Sequence, residues 1–242
     1  MNISTENAQY DIKADRLKKS YGNFEALRGI DLHVKRGEFF TLFGPNGAGK
    51  TTLIKLLATL TDPTSGNLSV CGFDAKKEVN NIRSVIGVIS HDPYLYDNLS
   101  ALENIKFFGT LYGLDDIENR ARSVIKQVGL EKRMNDIVRT FSRGMKQRLS
   151  VARAIVHDPK ILLLDEPYTG LDQHGAQIFG EMLSDLKSHR RTILMTTHSI
   201  DEGLDLSDRI GILTKGKIVL DCLKNEIQRS GFKDLYISKV ED

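Results

Sequence analysis

Tryptophan is absent from this sequence, and cysteine occurs twice and proline five times in 242 residues. The two cysteines, Cys71 and Cys222, are too few for a disulfide framework and do not stand at metal-ligand spacing. A stapled secreted scaffold and a zinc site are therefore not expected, and a reducing compartment fits best. An excess of one charge is missing too. Against 34 basic side chains stand 32 acidic ones, a formal net charge of +2, which gives no electrostatic case for nucleic acid or an anionic membrane. No apolar run approaches the roughly 18 residues of a spanning helix. Met1 to Asp15 is polar, where a secretory signal would carry an apolar core. Work at a membrane would then need another chain to supply the attachment.

What is present is ordinary globular material. Apolar residues make up 40% and charged residues 27%, and the length suits one large domain or two small ones with a core of their own. No internal repeat or low-complexity tract appears. Residues 1–9 read as a flexible tail, and residues 10–242 as the folded domain. Alternation at Ile30, Leu32 and Val34 predicts a strand, as does Glu38 to Phe43. A Gly-rich turn and a helix with Leu53, Leu56, Leu57 and Leu60 at helical spacing follow, then a loop over Thr61 to Gly66. Leu68 to Gly72 and Val85 to Ser90 read as further strands. Ser100 and Glu103 have capping-box spacing ahead of Ile105, Phe108 and Leu111, and Ile117, Val124, Ile125 and Val128 mark a second helix. A third runs from about Met145 to Val156. The final third alternates strand and helix, which implies a largely parallel sheet covered on both faces, with the helical block from about 95 to 157 inserted. Residues 218–240 read as a strand and a helix.

Gly44-Pro45-Asn46-Gly47-Ala48-Gly49-Lys50-Thr51, followed by Thr52, fits the P-loop pattern. Glycines let successive N–H groups turn inward around anionic oxygens, and the following helix adds the positive end of its dipole. Lys50 is placed to reach the β- and γ-phosphates of a nucleotide, and the Thr51 hydroxyl to ligate Mg²⁺. Ile161 to Leu164 is a buried-looking strand ending in Asp165 and Glu166. At the carboxyl end of a parallel strand, Asp165 would bind Mg²⁺ directly or through water. Glu166, on the opposite face of the pleat, would polarise an attacking water as general base. His198 closes the β-rich run Thr192 to Thr197, and by its residue type alone reads as a structural histidine.

The segment Phe141-Ser142-Arg143-Gly144-Met145-Lys146-Gln147-Arg148 resembles the signature of ATP-binding-cassette (ABC) ATPases, usually Leu-Ser-Gly-Gly-Gln. With the P-loop, the Asp165–Glu166 strand end, Thr169-Gly170-Leu171-Asp172 (D-loop) and His198 (H-switch), five motifs stand in that family's order over about residues 12 to 220. The resemblance implies a P-loop α/β fold with a mostly parallel core sheet, an antiparallel β subdomain and an inserted helical subdomain. It implies ATP as substrate with Mg²⁺, Tyr21 as adenine-stacking aromatic, and His198 as a γ-phosphate sensor. It also implies a head-to-tail dimer, a homodimer for a single chain, in which each ATP lies between one P-loop and the partner's signature. Ser142, Arg143, Gly144 and Met145 would then act in the neighbour's site. A separate membrane-spanning permease would be the partner, docked on the helical insert, with this chain peripheral at the cytoplasmic face. An apolar groove exposed on the insert would mark that surface.

Two departures stand out. The glutamine expected after Ile86 to Ser90 is His91, and imidazole nitrogen suits hard Mg²⁺ poorly, so action through water is expected. Arg143 replaces the first signature glycine and Met145 the glutamine; Arg143 would face either phosphate or solvent. The Phe-Ser-x-Gly-Met form is similar to exporter ATPases of the drug-, haem- and lipid-export branches. A soluble ABC ATPase acting on nucleic acid or ribosomes is the alternative. It is opposed by the short interval from Lys50 to Ser142, which holds no sustained heptads, by the single cassette and by the neutral charge. No Asn-Lys-x-Asp motif supports a GTPase, a kinase would leave the signature unexplained, and Lys50, Asp165, Glu166 and His198 together oppose a catalytically dead regulator.

Overall fold

A computed structural model describes residues 9–241, so the reading of residues 1–8 as a tail lies outside the described residues. Gln9 is within them, and its carbonyl accepts the Arg36 N–H. Two sheets organise the chain. The first is antiparallel, in the order β2-β1-β4-β5, built from β1 (Tyr10–Tyr21), β2 (Phe24–Lys35), β4 (Ser65–Val70) and β5 (Phe73–Asp74). The second has six strands in the order β10-β9-β3-β8-β7-β6. Its members are β3 (Phe39–Phe43), β6 (Ile86–Ser90), β7 (Ile161–Asp165), β8 (Thr192–Thr197), β9 (Arg209–Thr214) and β10 (Lys217–Leu223). The pairs β3–β8, β3–β9, β6–β7 and β7–β8 are parallel, and only β10 runs against its neighbour.

The pleat sorts the central strands between two cores. Leu162 and Leu164 of β7, with Ile193 and Met195 of β8, face α3 (Ala101–Leu111), α4 (Ile117–Gln127), α5 (Arg143–Ile155) and α6 (Gln173–Ser188). Ile161, Leu163 and Leu194 face α1 (Lys50–Leu57), α2 (Val79–Val85) and the antiparallel sheet. Because every residue of β7 and β8 is buried, neither strand alternates in polarity, as parallel strands covered on both faces require. A third cluster packs Phe43, Leu204, Ile210 and Ile212 around Phe232 of α8 (Arg229–Glu241) and includes Leu204 of α7 (Ile200–Leu206). Helices α3 to α5 follow β6 and precede β7. At the start of α3, Ser100 accepts from the Glu103 N–H while the Glu103 carboxylate accepts from the Ser100 N–H, the reciprocal cap that the spacing predicts.

Three local features differ from the sequence reading. Strand β1 was not anticipated, because its buried positions Ile12, Ala14 and Leu17 slip out of period two where Arg16, at φ +47°, makes a bulge. The P-loop helix ends at Leu57 rather than running through Leu60: Thr59 at φ +55° breaks it, and Leu60 is exposed. Helix α5 begins at Arg143, within the signature, and not at Met145.

Candidate functional site

Strand β3 carries the chain from the core into the loop Gly44 to Gly49, and α1 starts at Lys50. Gly49 has to be glycine: its φ of +113° is open to few L residues, and a Cβ there would lie 2.6 Å from the Ala26 carbonyl oxygen. The loop walls a cavity of about 530 Å³ lined by Phe24, Ala26, Pro45 to Thr52, His91, Glu166, Thr169 and His198. Parallel strands point their carboxyl ends at this cavity, which is lined by the residues that follow β3, β6, β7 and β8: the loop from Pro45, His91, Glu166 and His198.

Lys50 is nearly buried, and its ammonium donates to the carbonyl oxygens of Gly44 at 2.6 Å and Pro45 at 3.1 Å. It also pairs with Glu166 Oε1 at 3.1 Å. Asp165 ends β7 beside Ser90 of β6 and Thr196 of β8, and its Oδ1 accepts the Thr196 hydroxyl at 2.7 Å. It is buried behind the cavity wall and does not line the cavity. Glu166 reaches the cavity by a route that pleat alternation did not predict. The strand stops at Asp165, and Glu166 adopts left-handed φ +50°, its N–H donating to the Thr196 carbonyl at 3.0 Å. A glutamate held in that region costs on the order of 1–3 kcal/mol, the kind of backbone strain found where a side chain must be aimed. Its carboxylate is aimed between two cations or donors: Lys50 at Oε1, and at Oε2 the His198 N–H at 3.3 Å and Nδ1 at 2.8 Å. Oε1 is buried and makes no hydrogen bond of good geometry beyond that ion pair. His198 therefore sits at the site and pairs with Glu166.

The donor set fits a magnesium nucleotide. The loop supplies turned-in amides and an ammonium, Thr51 a hydroxyl on the cavity wall, and Asp165 a hard carboxylate behind it. A site of two protein oxygens completed by phosphate and water is the usual Mg²⁺ arrangement, and among the described residues no cluster of three or more His, Cys, Asp or Glu side chains competes with it. His91, one residue past β6, lines the same cavity.

Some predicted residues are not brought to this cavity. Ser142, Arg143, Gly144 and Met145 form the tip of α5 elsewhere on the chain; Ser142 Oγ accepts the Met145 N–H at 3.3 Å, and nothing crowds Gly144. Arg143 is solvent-exposed, yet its side chain is held: Nε donates to the Thr169 carbonyl at 3.0 Å. Asp172 caps α6, accepting the Gly175 N–H at 2.7 Å. Tyr21 is half exposed beneath the Lys19 ammonium and outside the cavity lining, whereas Phe24 is in it. The two aromatics face each other across the tight turn at Gly22 and Asn23. That hairpin was the available signal for Phe24, but it needs β1 to be read first. Thr169 was also missed as a cavity residue.

The family described as ABC transporter matches residues 27–169 of this chain. Linearmycin resistance ATP-binding protein LnrL of Bacillus subtilis (strain 168) is 37% identical over 218 residues, 89% of this chain and 70% of that protein. Nod factor export ATP-binding protein I of Cupriavidus pinatubonensis is 38% identical over 208 residues, 85% of this chain and 64% of that protein. An ATP-binding cassette solved as a dimer in a post-hydrolysis state bound to ADP and Pi superposes with a TM-score of 0.81 at 28% identity, covering 88% of this chain and 98% of that one.

Proposed function

This chain belongs to the ABC transporter family as an ATP-hydrolysing subunit, and we propose that it works as a homodimer driving export through a separate membrane-spanning permease. ATP is held by the amides of Gly44 to Thr52 and by Lys50, with its base against the Tyr21–Phe24 hairpin. Mg²⁺, when bound, would neutralise phosphate charge and polarise the phosphoryl group, and Thr51 and Asp165 are the residues that would hold it. Glu166 accepts the proton of the attacking water as Lys50 passes from its carboxylate to the phosphates, and His198 orients Glu166 through Nδ1. The tip of α5, with Ser142 as cap and open space at Gly144, offers N–H donors to the γ-phosphate held by a second copy. ATP thus closes the dimer and hydrolysis reopens it. Exporter direction is supported by the relatives named for resistance and for export.

The observation that carries the permease reading is an apolar face on the helical insert. Tyr94, Tyr96, Phe107, Leu111 and Tyr112 are exposed there, with Tyr96 and Phe107 in edge contact at 4.9 Å. Arg153 links the face inward, its guanidinium over Tyr94 and Phe108 and its Nη2 donating to the Val88 carbonyl at 2.9 Å. Patches of this kind mark interaction surfaces, and no helix among the described residues is long and apolar enough to cross a membrane. The face is assigned to a cytoplasmic loop of the permease. Phe107→Glu with Leu111→Glu, co-expressed with the permease, is expected to leave ATP binding intact and to remove the chain from the membrane fraction. Undiminished membrane recovery would overturn the assignment.

A further inference from the structure

Arg143 is the first residue of α5, and its guanidinium lies on the surface directly against Gly170, where the missing side chain leaves it room. A Cβ on Gly170 would meet Arg143 Nε at 2.4 Å, Cζ at 2.5 Å and Nη2 at 2.9 Å, and Gly170 has a φ of +75°. One turn further along α5, buried Gln147 donates from Nε2 to the Pro167 carbonyl at 2.9 Å. Two side chains of one helix face thus hold carbonyls on either side of Tyr168. The loop they hold begins at Glu166, is closed by the Thr169 N–H donating to the Glu166 carbonyl at 3.2 Å, and carries Thr169 into the cavity wall. At its other end, Glu166 is fixed by Lys50 and His198.

We infer that Arg143 is a positioning residue: through Thr169 it fixes the loop that presents Glu166, and so ties the helix tip serving one nucleotide site to the catalytic wall of the other. This rests on the proposed dimer, in which the tip of α5 meets the partner's ATP. Seating that ATP immobilises the tip, and the charge-assisted bond to the Thr169 carbonyl transmits the constraint to the general base of the same chain. An arginine in place of the usual signature glycine then serves coupling within the chain rather than phosphate binding.

The test separates turnover from nucleotide binding in the full chain. Arg143→Ala is expected to lower kcat about five- to twentyfold with KM for ATP changed less than twofold. In a Glu166→Gln background, the ATP concentration giving half-maximal dimer on size-exclusion chromatography is expected to stay within twofold. Arg143→Lys keeps a single donor and is expected to recover kcat to within threefold of the parent. Gly170→Ala displaces the guanidinium and lowers kcat similarly; combined with Arg143→Ala it is no slower than the slower single variant, because both break one contact. The inference falls if Arg143→Ala leaves kcat within twofold or if the two substitutions multiply. It also falls if Arg143→Ala raises the ATP needed for dimerisation more than fivefold, as loss of a phosphate ligand would. A Glu166→Gln chain that stays monomeric at saturating ATP and Mg²⁺ would overturn the dimer reading itself, and this inference with it.

Discussion

Replacing Glu166 by glutamine keeps the outline of the side chain and removes its charge, which separates two roles the structure gives it. As general base it accepts a proton that glutamine cannot take, and loss of such a base costs about 10²–10⁴ in rate; a hundredfold is about 2.7 kcal/mol of barrier. As partner of Lys50 it competes with phosphate for the same ammonium. At 3.1 Å, in a pair whose side chains are 6% and 17% exposed, the gross attraction is about 5 kcal/mol at an effective dielectric constant of 20. Desolvation of both groups offsets most of that, and Lys50 keeps its bonds to Gly44 and Pro45. A remainder of about 1 kcal/mol corresponds to roughly fivefold in affinity. Glu166→Gln should therefore bind ATP about three- to tenfold more tightly by equilibrium titration, accumulate a dimer on size-exclusion chromatography, and release phosphate at least tenfold more slowly. Turnover within threefold of the parent would refute the general-base assignment, and weaker ATP binding would refute the competition for Lys50.

His91→Gln restores an amide oxygen suited to Mg²⁺ and is expected to keep or raise ATPase activity; abolished turnover would give the imidazole a dedicated role. Phe24→Ala should weaken ATP binding about two- to tenfold, the loss of a 0.5–1.5 kcal/mol aromatic contact, and Tyr21→Ala should weaken it less than twofold; the reverse ranking would return the adenine contact to Tyr21. Burial, with Asp11 adding to it, pushes the Cys71 thiol up to about 11. Raising a thiol pKa depletes thiolate at every pH below it, so at pH 8 iodoacetamide should alkylate Cys71 about a hundredfold more slowly than an ordinary thiol, the gap closing as pH approaches 11. Equal labelling rates for Cys71 and a free thiol would contradict the burial.

What the sequence determined by itself is local and repetitive: a glycine turn between an apolar strand and a helix, two acids ending a buried strand, a capping box, five motifs in order. Backbone sterics and short-range hydrogen bonds fix these, so Gly49, Lys50, Asp165 and the start of α3 were legible from neighbours a few residues away. Contacts between distant segments were not. Strand β1 hid behind a bulge that shifts its period, and with it went the hairpin that turns Phe24 toward the phosphate loop. The side of the pleat gave the wrong reason for Glu166, because a left-handed turn after Asp165 aims it at Lys50 and His198. Arg143 gave no sign of a partner, since nothing near it in the chain announces the Thr169 carbonyl beside Gly170. The tertiary structure decided these points because a side chain's position there depends on space and charge supplied by residues remote in sequence.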